Sequence, residues 1–280
     1  MESGRKEERE EKEIVTGAVS ASKDALTIAG AVLLGCLIIA GTIGYVSVRM
    51  VKQTATTKEV AADPNAKPED VKVTLDQVKA LFTKDNITFG KKDSKLMFVE
   101  FSDPSCPYCH VASGENPGLN KQAGAQFMMA QDGGTYVPPV PEMRKLVDAG
   151  KASFVWLYAN GHGNGELATK AFYCAKEKGK FWEVHDRLMS SDGYDLMNTK
   201  LKADTTKTAE MAEFLKGIVK ADDMKSCLES GKYDDRLTSD MALAQQFGFR
   251  GTPSFFVNTT NFPGAVPFSE MQSAVDAATK

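Results

Sequence analysis

The sequence predicts an α/β domain in which helices are inserted between two strands, preceded by a single N-terminal transmembrane helix. Three observations predict it: an uncharged apolar segment at residues 25–48, three apolar runs of strand length beyond it, and a long helical stretch between the second and third runs. The chain has 280 residues, of which 42% are apolar and 25% are charged, which is ordinary for a globular protein.

The charge and the cysteine content narrow the class of protein. The net charge of -3 is nearly balanced and no basic stripe stands out, so nucleic acid is not a predicted partner. Five cysteines are too few to staple a chain of 280 residues, so a hydrophobic core must hold the fold.

The N-terminal region divides into three segments by composition. Residues 1–24 form a charged tail, residues 25–48 carry no Asp, Glu, Lys or Arg, and residues 49–72 have the composition of an exposed linker. As a helix, the uncharged segment would be about 36 Å long, which is enough to span a bilayer with some tilt. We therefore predict that the chain enters the lipid bilayer through an uncleaved anchor at residues 25–48. A cleaved secretory signal and a lipid-modified Cys36 are the alternatives.

Basic residues on either side of the anchor predict its orientation. Five lie before it and three after it: Arg5, Lys6, Arg9, Lys12 and Lys23, then Arg49, Lys52 and Lys58. This excess favours a cytoplasmic tail and an extracytoplasmic folded domain. The protein is therefore predicted to be a single-pass protein of the cell membrane, with residues 73–280 folded on the extracytoplasmic side.

The folded domain is predicted to begin with a short helix and to contain three buried strands. Thr74 and Gln77 have the spacing of a capping box, ahead of apolar residues at helical intervals. The strands are predicted at residues 96–101, 152–158 and 254–257, because each is a short apolar run typical of a buried strand.

Helical patterns fill the interval between the second and third strands. They cover residues 167–178, 181–189, 209–219 and 236–247, and a closing helix is predicted at residues 268–279. This order of elements fits a thioredoxin fold with an inserted helical subdomain at about residues 165–247. Residues 113–141 are dense in Gly and Pro and are predicted to form a loop.

The candidate chemistry is concentrated at the closely spaced pair Cys106 and Cys109. Such a pair is a redox dithiol, half of a zinc site or, when His follows as His110 does here, a c-type haem attachment site. A zinc site needs a second close pair of ligands, and the sequence has none. A redox dithiol is favoured because the pair directly follows a predicted strand, so that the first cysteine lies where a helix begins.

The start of a helix has free N–H groups and a partial positive charge. This field stabilises the thiolate of Cys106 and makes it the predicted nucleophile. Pro107 suits the first helical turn, where its missing N–H costs nothing. Cys109, one turn further along, is shielded and is predicted to resolve the mixed disulfide. This chemistry requires no metal and no cofactor.

Glu100 and Pro253 are the other candidate catalytic residues. A carboxylate inside an apolar strand is costly unless it is paired or its pKa is raised, so we interpret Glu100 as a buried proton acceptor that assists Cys109. A carboxylate turned to solvent at the end of the strand is the alternative. Pro253 opens the third strand after Thr252, where a cis peptide bond would turn the chain sharply into the sheet.

Three segments together resemble the DsbA-like branch of the thiol-disulfide oxidoreductases. They are residues 99–109 around the dithiol, residues 179–186 (Gly-Lys-Phe-Trp-Glu-Val-His-Asp) and residues 251–256 (Gly-Thr-Pro-Ser-Phe-Phe), in the family's order. The resemblance covers residues 86–280 and implies a thioredoxin fold with inserted helices, in which a cis Pro253 faces the dithiol. It also implies unfolded or exported protein substrates that pair like a strand along Thr252 and Pro253, beside Pro107 and Tyr108.

The resemblance leaves the direction of electron flow open. The leading prediction is a disulfide-forming oxidase that a membrane quinone-linked partner re-oxidises. Tyr108 stands where the family has His, which removes one stabiliser of the thiolate, and relatives with Pro-Tyr include isomerases and reductases. A disulfide reductase or isomerase is therefore the alternative. Two alternative functions come from other classes of protein. One is a c-type haem electron-transfer protein, and the other is a tethered binding module with a vestigial dithiol.

Two further pairs of residues have no assigned role in this chemistry. Cys174 and Cys227, both in predicted helices, form either a second, structural disulfide or two buried free thiols, and the sequence leaves this open. His185 and Asp186 are interpreted as helix-surface or packing residues, because no further metal ligand is near them in the sequence.

Overall fold

A mixed sheet of five strands forms the centre of residues 71–280, the part of the chain that the computed structural model describes. Its order is β1-β3-β2-β4-β5, with bounds Ile87–Phe89 (β1), Met97–Ser102 (β2), Ser153–Tyr158 (β3), Ser254–Val257 (β4) and Thr260–Pro263 (β5). β2 runs parallel to β3 and antiparallel to β4, and each edge strand is antiparallel to its neighbour. The three strands predicted from apolar runs are the three central ones.

Helices cover both faces of this sheet, which is why every residue of β2 and β3 is buried. They are α1 (Leu75–Ala80), α2 (Pro107–Ser113), α3 (Pro117–Gln122), α4 (Pro139–Asp148), α5 (Glu166–Glu177), α6 (Phe181–Met189), α7 (Ser191–Asp195), α8 (Thr208–Leu215), α9 (Ala221–Glu229), α10 (Asp234–Gln246) and α11 (Phe268–Thr279). Val78 of α1 and Ala244 of α10 pack on one face, against Val99 and Phe101 of β2. Phe98 of β2 points to the opposite face, where α2, α4, α5, α6 and α11 contribute to the larger core.

The helical insertion between β3 and β4 consists of α5 to α10 and a π-helix at Leu196–Leu201. The four helices predicted there correspond to α5, α6, α8 and α10. α8 ends at Leu215 rather than at residue 219. The thioredoxin-like α/β fold with a helical insertion, expected from the order of elements, is therefore confirmed. The capping box at Thr74 is also formed, with hydrogen bonds in both directions between Thr74 and Gln77.

The prediction that residues 113–141 form a loop is wrong. The segment contains α3, two short 3-10 helices at Ala125–Phe127 and Ala130–Asp132, and the start of α4. Pro117 and Pro139 each lie in the first turn of a helix, where proline is pre-organised and its missing N–H is not needed. Asn116 caps α3 by accepting a hydrogen bond from the Leu119 amide. The prolines that indicated a loop therefore begin helices.

Cys174 of α5 and Cys227 of α9 form a disulfide, with their Cα atoms 6.1 Å apart. This bond joins two helices of the insertion, and it decides between the two alternatives that the sequence left open.

Across residues 71–280, none of the helices has both the length and the apolar character that crossing a bilayer requires. The predicted anchor at residues 25–48, the tail before it and the linker up to residue 70 lie outside the described residues.

Candidate active site

Cys106 occupies the junction between β2 and α2. Its backbone is extended (φ −75°, ψ 127°), and it is the N-cap of the helix, with Pro107 in the first turn. The amides of Cys109 and His110 donate to the Cys106 carbonyl and so begin the helix. Cys106 is 5% exposed. Its sulfur therefore lies at the positive end of a helix, as the sequence predicts.

The two thiols of the pair differ strongly in acidity. The hydrogen bond with the Cys109 thiol lowers the pKa of Cys106 to about 6; burial opposes this shift, and Thr252 and the first amides of α2 add to it. Cys109 is fully buried, and burial together with its hydrogen bond to Cys106 raises its pKa well above the ordinary value. At neutral pH, Cys106 is therefore the thiolate and Cys109 the protonated thiol.

The loop before β4 lies directly beside this pair. The Thr252–Pro253 peptide bond is cis, and the Cys106 sulfur is 3.5 Å from the Thr252 carbonyl oxygen. Pro253 is buried and Thr252 is partly exposed. On α2, Pro107 is partly exposed and Tyr108 is 46% exposed, with its ring 5.8 Å from that of Phe127. Of the four residues predicted to contact substrate, Thr252, Pro107 and Tyr108 are therefore at least partly exposed beside Cys106, and Pro253 is buried.

Glu100 is buried, so the alternative that it turns to solvent is wrong. It is 1% exposed and alternates along β2 with Val99 and Phe101, so its side chain points to the face that α2 and α6 cover. Burial raises the pKa of Glu100 to about 7, while His185 and a hydrogen bond with Ser102 act in the opposite direction. Ser102 lies two positions further along β2 on the same face, and it also acts to lower the pKa of Cys109. The same hydroxyl therefore influences both the carboxyl group and the resolving cysteine.

Asp103 is a site residue that the sequence analysis missed. Its Oδ2 atom accepts hydrogen bonds from the amides of residues 161, 162 and 163, and its Oδ1 atom accepts two from Ser105. These bonds hold the loop after β3 against the turn that follows β2. The same loop also lies close to Thr252, since a Cβ atom on Gly161 would lie 1.8 Å from the Thr252 hydroxyl oxygen. The Asp-Pro-Ser sequence is a turn signal that could have indicated Asp103.

Asn198, in the π-helix, extends this network. Its side-chain amide donates to the Ser105 carbonyl at 3.1 Å and accepts from Asn164 at 2.9 Å. A π-helix is rare and often lies at a functional site. No local pattern in the sequence indicates Asn198, because its role depends on a residue 93 positions away.

His110 is held in a way that disfavours the haem alternative. Its Nδ1 atom is 2.6 Å from the Met189 carbonyl oxygen and its Nε2 atom is 2.8 Å from the Pro104 carbonyl oxygen. Burial lowers the pKa of His110 to about 4, so at neutral pH the ring is neutral and donates to one of these two oxygens. Because both nitrogens face carbonyl oxygens in the core, neither is available to ligate a haem iron.

We expect the reduced protein to form a thiolate with a midpoint at about pH 6. The folded pKa lies below the ordinary value of 9.0, so this thiolate stabilises the reduced fold fully above about pH 9, and the stabilisation is lost as the pH falls through about 6. The ultraviolet absorbance of thiolate, measured against pH with the oxidised protein as the blank, checks this. A single transition near the ordinary value would contradict it, and Cys106→Ser should remove the low transition.

Comparisons with known proteins give a partial family match and several relatives of low identity. A family model described as Thioredoxin matches residues 141–277. Among curated relatives, Na(+)/H(+) antiporter NhaA 3 of Salinispora tropica is 24% identical over 193 residues, 68% of this chain, but the match spans only 24% of the antiporter. The NhaA 1 antiporter of Salinispora arenicola gives the same coverage, so this chain spans about a quarter of the length of these first two relatives.

Two further relatives match this chain over most of their own length. Disulfide bond formation protein D of Bacillus subtilis is 20% identical over 199 residues, covering 68% of this chain and 76% of that protein. A putative protein-disulfide oxidoreductase of Rickettsia bellii is 23% identical over 232 residues, and the match covers 80% of this chain and 73% of that protein. Both relatives carry names of disulfide-exchange proteins, in agreement with the enzyme class predicted from the sequence.

Two solved structures share the fold. Oxidised BdbD from Bacillus subtilis superposes with a TM-score of 0.51 at 20% identity, covering 70% of this chain and 94% of that one. The alpha-DsbA1 protein of Wolbachia pipientis gives a TM-score of 0.52 at 16% identity, and the match covers 72% of this chain and 96% of that one. At these identities the likeness concerns the fold alone, and it supports the DsbA-like thioredoxin fold that the sequence motifs predict.

Proposed function

We propose that this chain is a disulfide-forming oxidase that acts on exported or unfolded proteins through the Cys106–Cys109 dithiol. The observation that carries the proposal is the acidity of Cys106, whose pKa is lowered to about 6 at the start of α2. A stabilised thiolate favours the reduced form of the enzyme, and an enzyme with a stable reduced form readily gives its disulfide away.

The proposed cycle starts with the Cys106–Cys109 disulfide. A substrate thiolate attacks the Cys106 sulfur, the bond between the two cysteines breaks, and Cys109 leaves as a thiolate. Protonated Glu100 supplies a proton to Cys109 through Ser102; with a pKa of about 7 it exists in both forms near neutral pH. A second substrate thiolate then attacks the substrate sulfur of the mixed disulfide and releases the Cys106 thiolate. The substrate has lost two electrons, and the dithiol has gained them.

The substrate segment is proposed to lie along Thr252 and Pro253, with Pro107 and Tyr108 on its other side. The support is the position of the Thr252 carbonyl, 3.5 Å from the Cys106 sulfur. An extended peptide that pairs with this loop like a strand brings its own cysteine to the reacting sulfur.

The proposed location is the cell membrane, with a single span at residues 25–48 in the lipid bilayer and the catalytic domain on the extracytoplasmic side. The support is the uncharged apolar segment and the excess of basic residues before it. A disulfide-forming enzyme suits an oxidising compartment, as does the Cys174–Cys227 disulfide. A membrane quinone-linked partner is proposed to re-oxidise the dithiol after each cycle.

The reduction potential of the full-length protein tests the direction of electron flow. Equilibration with glutathione followed by thiol trapping gives the potential of the Cys106–Cys109 pair. We expect a value above about −200 mV, as for oxidases. A value near about −270 mV would assign the protein to the reductases and reject the proposal. Cys106→Ser, which leaves the Cys174–Cys227 bond in place, identifies the redox couple that is being measured.

A further inference from the structure

Glu100 cannot exchange protons with solvent along the sheet. β2 lies between β3 and β4, and the residues directly opposite Glu100 are Trp156 and Phe255, both buried. Its Oε2 atom is buried and has no hydrogen-bond partner among the described residues. A carboxyl group that gives up and regains a proton in every cycle therefore needs a route through the side chains on its own face of the sheet.

His185 of α6 lies on that face, between the core and an open cleft. It is 2% exposed, and its ring packs on Phe172 and Trp182 with centroids 5.7 and 5.4 Å away. It interacts electrostatically with Glu100 and lowers the pKa of that carboxyl group. On its other side, His185 lines a cleft of about 350 Å³. The imidazole thus lines the cleft while its electrostatic effect reaches the buried acid.

Asp186 and Arg144 form the outer part of this connection. The Nδ1 atom of His185 is 3.0 Å from Asp186 Oδ1, and Arg144 donates to Asp186 Oδ2 at 2.9 Å. Burial would raise the pKa of Asp186, but the hydrogen bonds with His185 and Arg144 hold it below the ordinary value. Its side chain is 34% exposed and lines the same cleft. A carboxylate that stays ionised here fixes the orientation of the imidazole.

The charged and titratable groups that interact with His185 or its partner Asp186 lie on β2, on α2 and the turn after it, on α4 and on α6 itself. They are Glu100 on β2, His110 on α2, Glu115 in the turn after α2, Arg144 on α4 and Asp186 on α6 itself. α5 contributes the uncharged ring of Phe172. Burial raises the pKa of Glu115, and Asp186 adds to this effect. Of these groups, Glu100 shares with Cys109 an interaction with Ser102.

We propose that His185, oriented by Asp186, is the positioning residue that carries protons between Glu100 and solvent in the cleft bounded by Arg144 and Asp186. The inference rests on the proposed function, because it assigns the proton path for the same dithiol. It concerns the step in which Cys109 gains or loses its proton, and it leaves the attack at Cys106 unaffected.

The step is simplest to observe in the oxidation of the reduced enzyme by oxidised glutathione. The Cys106 thiolate attacks one sulfur of glutathione disulfide, forms a mixed disulfide and releases one glutathione thiolate. The Cys109 thiol then gives its proton to ionised Glu100 through Ser102, attacks the Cys106 sulfur and releases the second glutathione thiolate. Glu100 passes the proton through His185 to solvent, and the glutathione disulfide has taken up two electrons.

The test follows both steps on the reduced full-length protein at saturating oxidised glutathione, from about pH 5 to about pH 9, with acid quenching and mass analysis. We expect the second step of the wild type to accelerate with a midpoint near the pKa of Glu100, about 7. In His185→Gln this midpoint should move to higher pH, because a group that lowers the pKa of Glu100 is lost, and the step should be at least about tenfold slower at neutral pH. The first step should be unchanged.

Three further variants complete the experiment. Glu100→Gln should remove the inflection altogether. Asp186→Asn should change the second step in the same direction as His185→Gln, to a smaller extent. If far-ultraviolet circular dichroism shows that His185→Gln is unfolded, the second-step profile of Asp186→Asn tests the proton path in its place. Asp148→Asn is the matched control, since Asp148 lies 3.9 Å from the same Arg144 and lines the same cleft but, within residues 71–280, has no hydrogen bond or ion pair with His185; it should behave as wild type.

Two results would overturn the inference, and they are distinguishable. Second-step profiles of folded His185→Gln and Asp186→Asn that superimpose on the wild type would reject the proton path and leave the proposed function standing. If the wild type formed no mixed disulfide at Cys106, the proposed function would be rejected, and the proton path with it.

Discussion

Cys106→Ser is expected to reduce disulfide exchange to the uncatalysed background. The thiolate is the nucleophile, and a serine hydroxyl neither ionises near neutral pH nor forms a disulfide. The thiol of Cys109 does not replace it, because that residue is fully buried and its pKa is raised well above the ordinary value. The measurement is the rate at which an unfolded, reduced protein with a single pair of cysteines becomes oxidised in the presence of the enzyme.

Cys109→Ala is the matched variant, because it keeps the nucleophile and removes the resolving thiol. We expect it to accumulate a mixed disulfide between Cys106 and the substrate, visible by mass spectrometry and released by reductant. The two variants thus fail at different points of one reaction. Residual turnover in Cys106→Ser, or a Cys109→Ala protein that traps no substrate, would show that the roles of the two cysteines are assigned wrongly.

The parts of this site that the sequence predicts are those with a local signal. Cys106 and Cys109 follow an apolar strand, and Pro253 opens another, so each motif could be placed on an element before the elements were assembled. Glu100 was recognisable because a carboxylate in an apolar run is costly to bury. Ser102 lies two positions after Glu100 in the same strand, so its side chain points to the same face of the sheet. It could have been predicted together with Glu100.

The parts that the sequence does not predict depend on distant partners. Asp103 bonds to amides 58 to 60 positions away, and Asn198 bonds to a carbonyl 93 positions away. His185 was interpreted as a packing residue because its neighbours in the chain offer no ligand, yet in the fold it interacts electrostatically with Glu100. The edge strands β1 and β5 were missed for a similar reason. β1 has three residues and β5 is largely exposed, so neither has an apolar run of its own, and each is defined by its pairing with a neighbouring strand.

Removing the Cys174–Cys227 disulfide is expected to cost about 4 kcal/mol of the free energy of unfolding, the value that chain entropy gives for a loop of 53 residues. The bond joins α5, which packs on the central sheet, to α9 near the far end of the insertion. Without it, the intervening helices depend on their own packing, including that of Met211 and Leu215 of α8. Urea unfolding followed by far-ultraviolet circular dichroism measures the change.

The active-site pair would confuse this measurement, because a reductant acts on both disulfides. The comparison is therefore made in a Cys106→Ser/Cys109→Ser background, with and without dithiothreitol, and again after Cys174→Ala/Cys227→Ala. Reductant should destabilise the first protein by about 4 kcal/mol and leave the second unchanged. If reductant has no effect on the first protein, the bond does not hold the insertion together. If exchange activity survives in Cys174→Ala/Cys227→Ala with the active site intact, the second disulfide serves stability while the dithiol at Cys106 and Cys109 carries the chemistry.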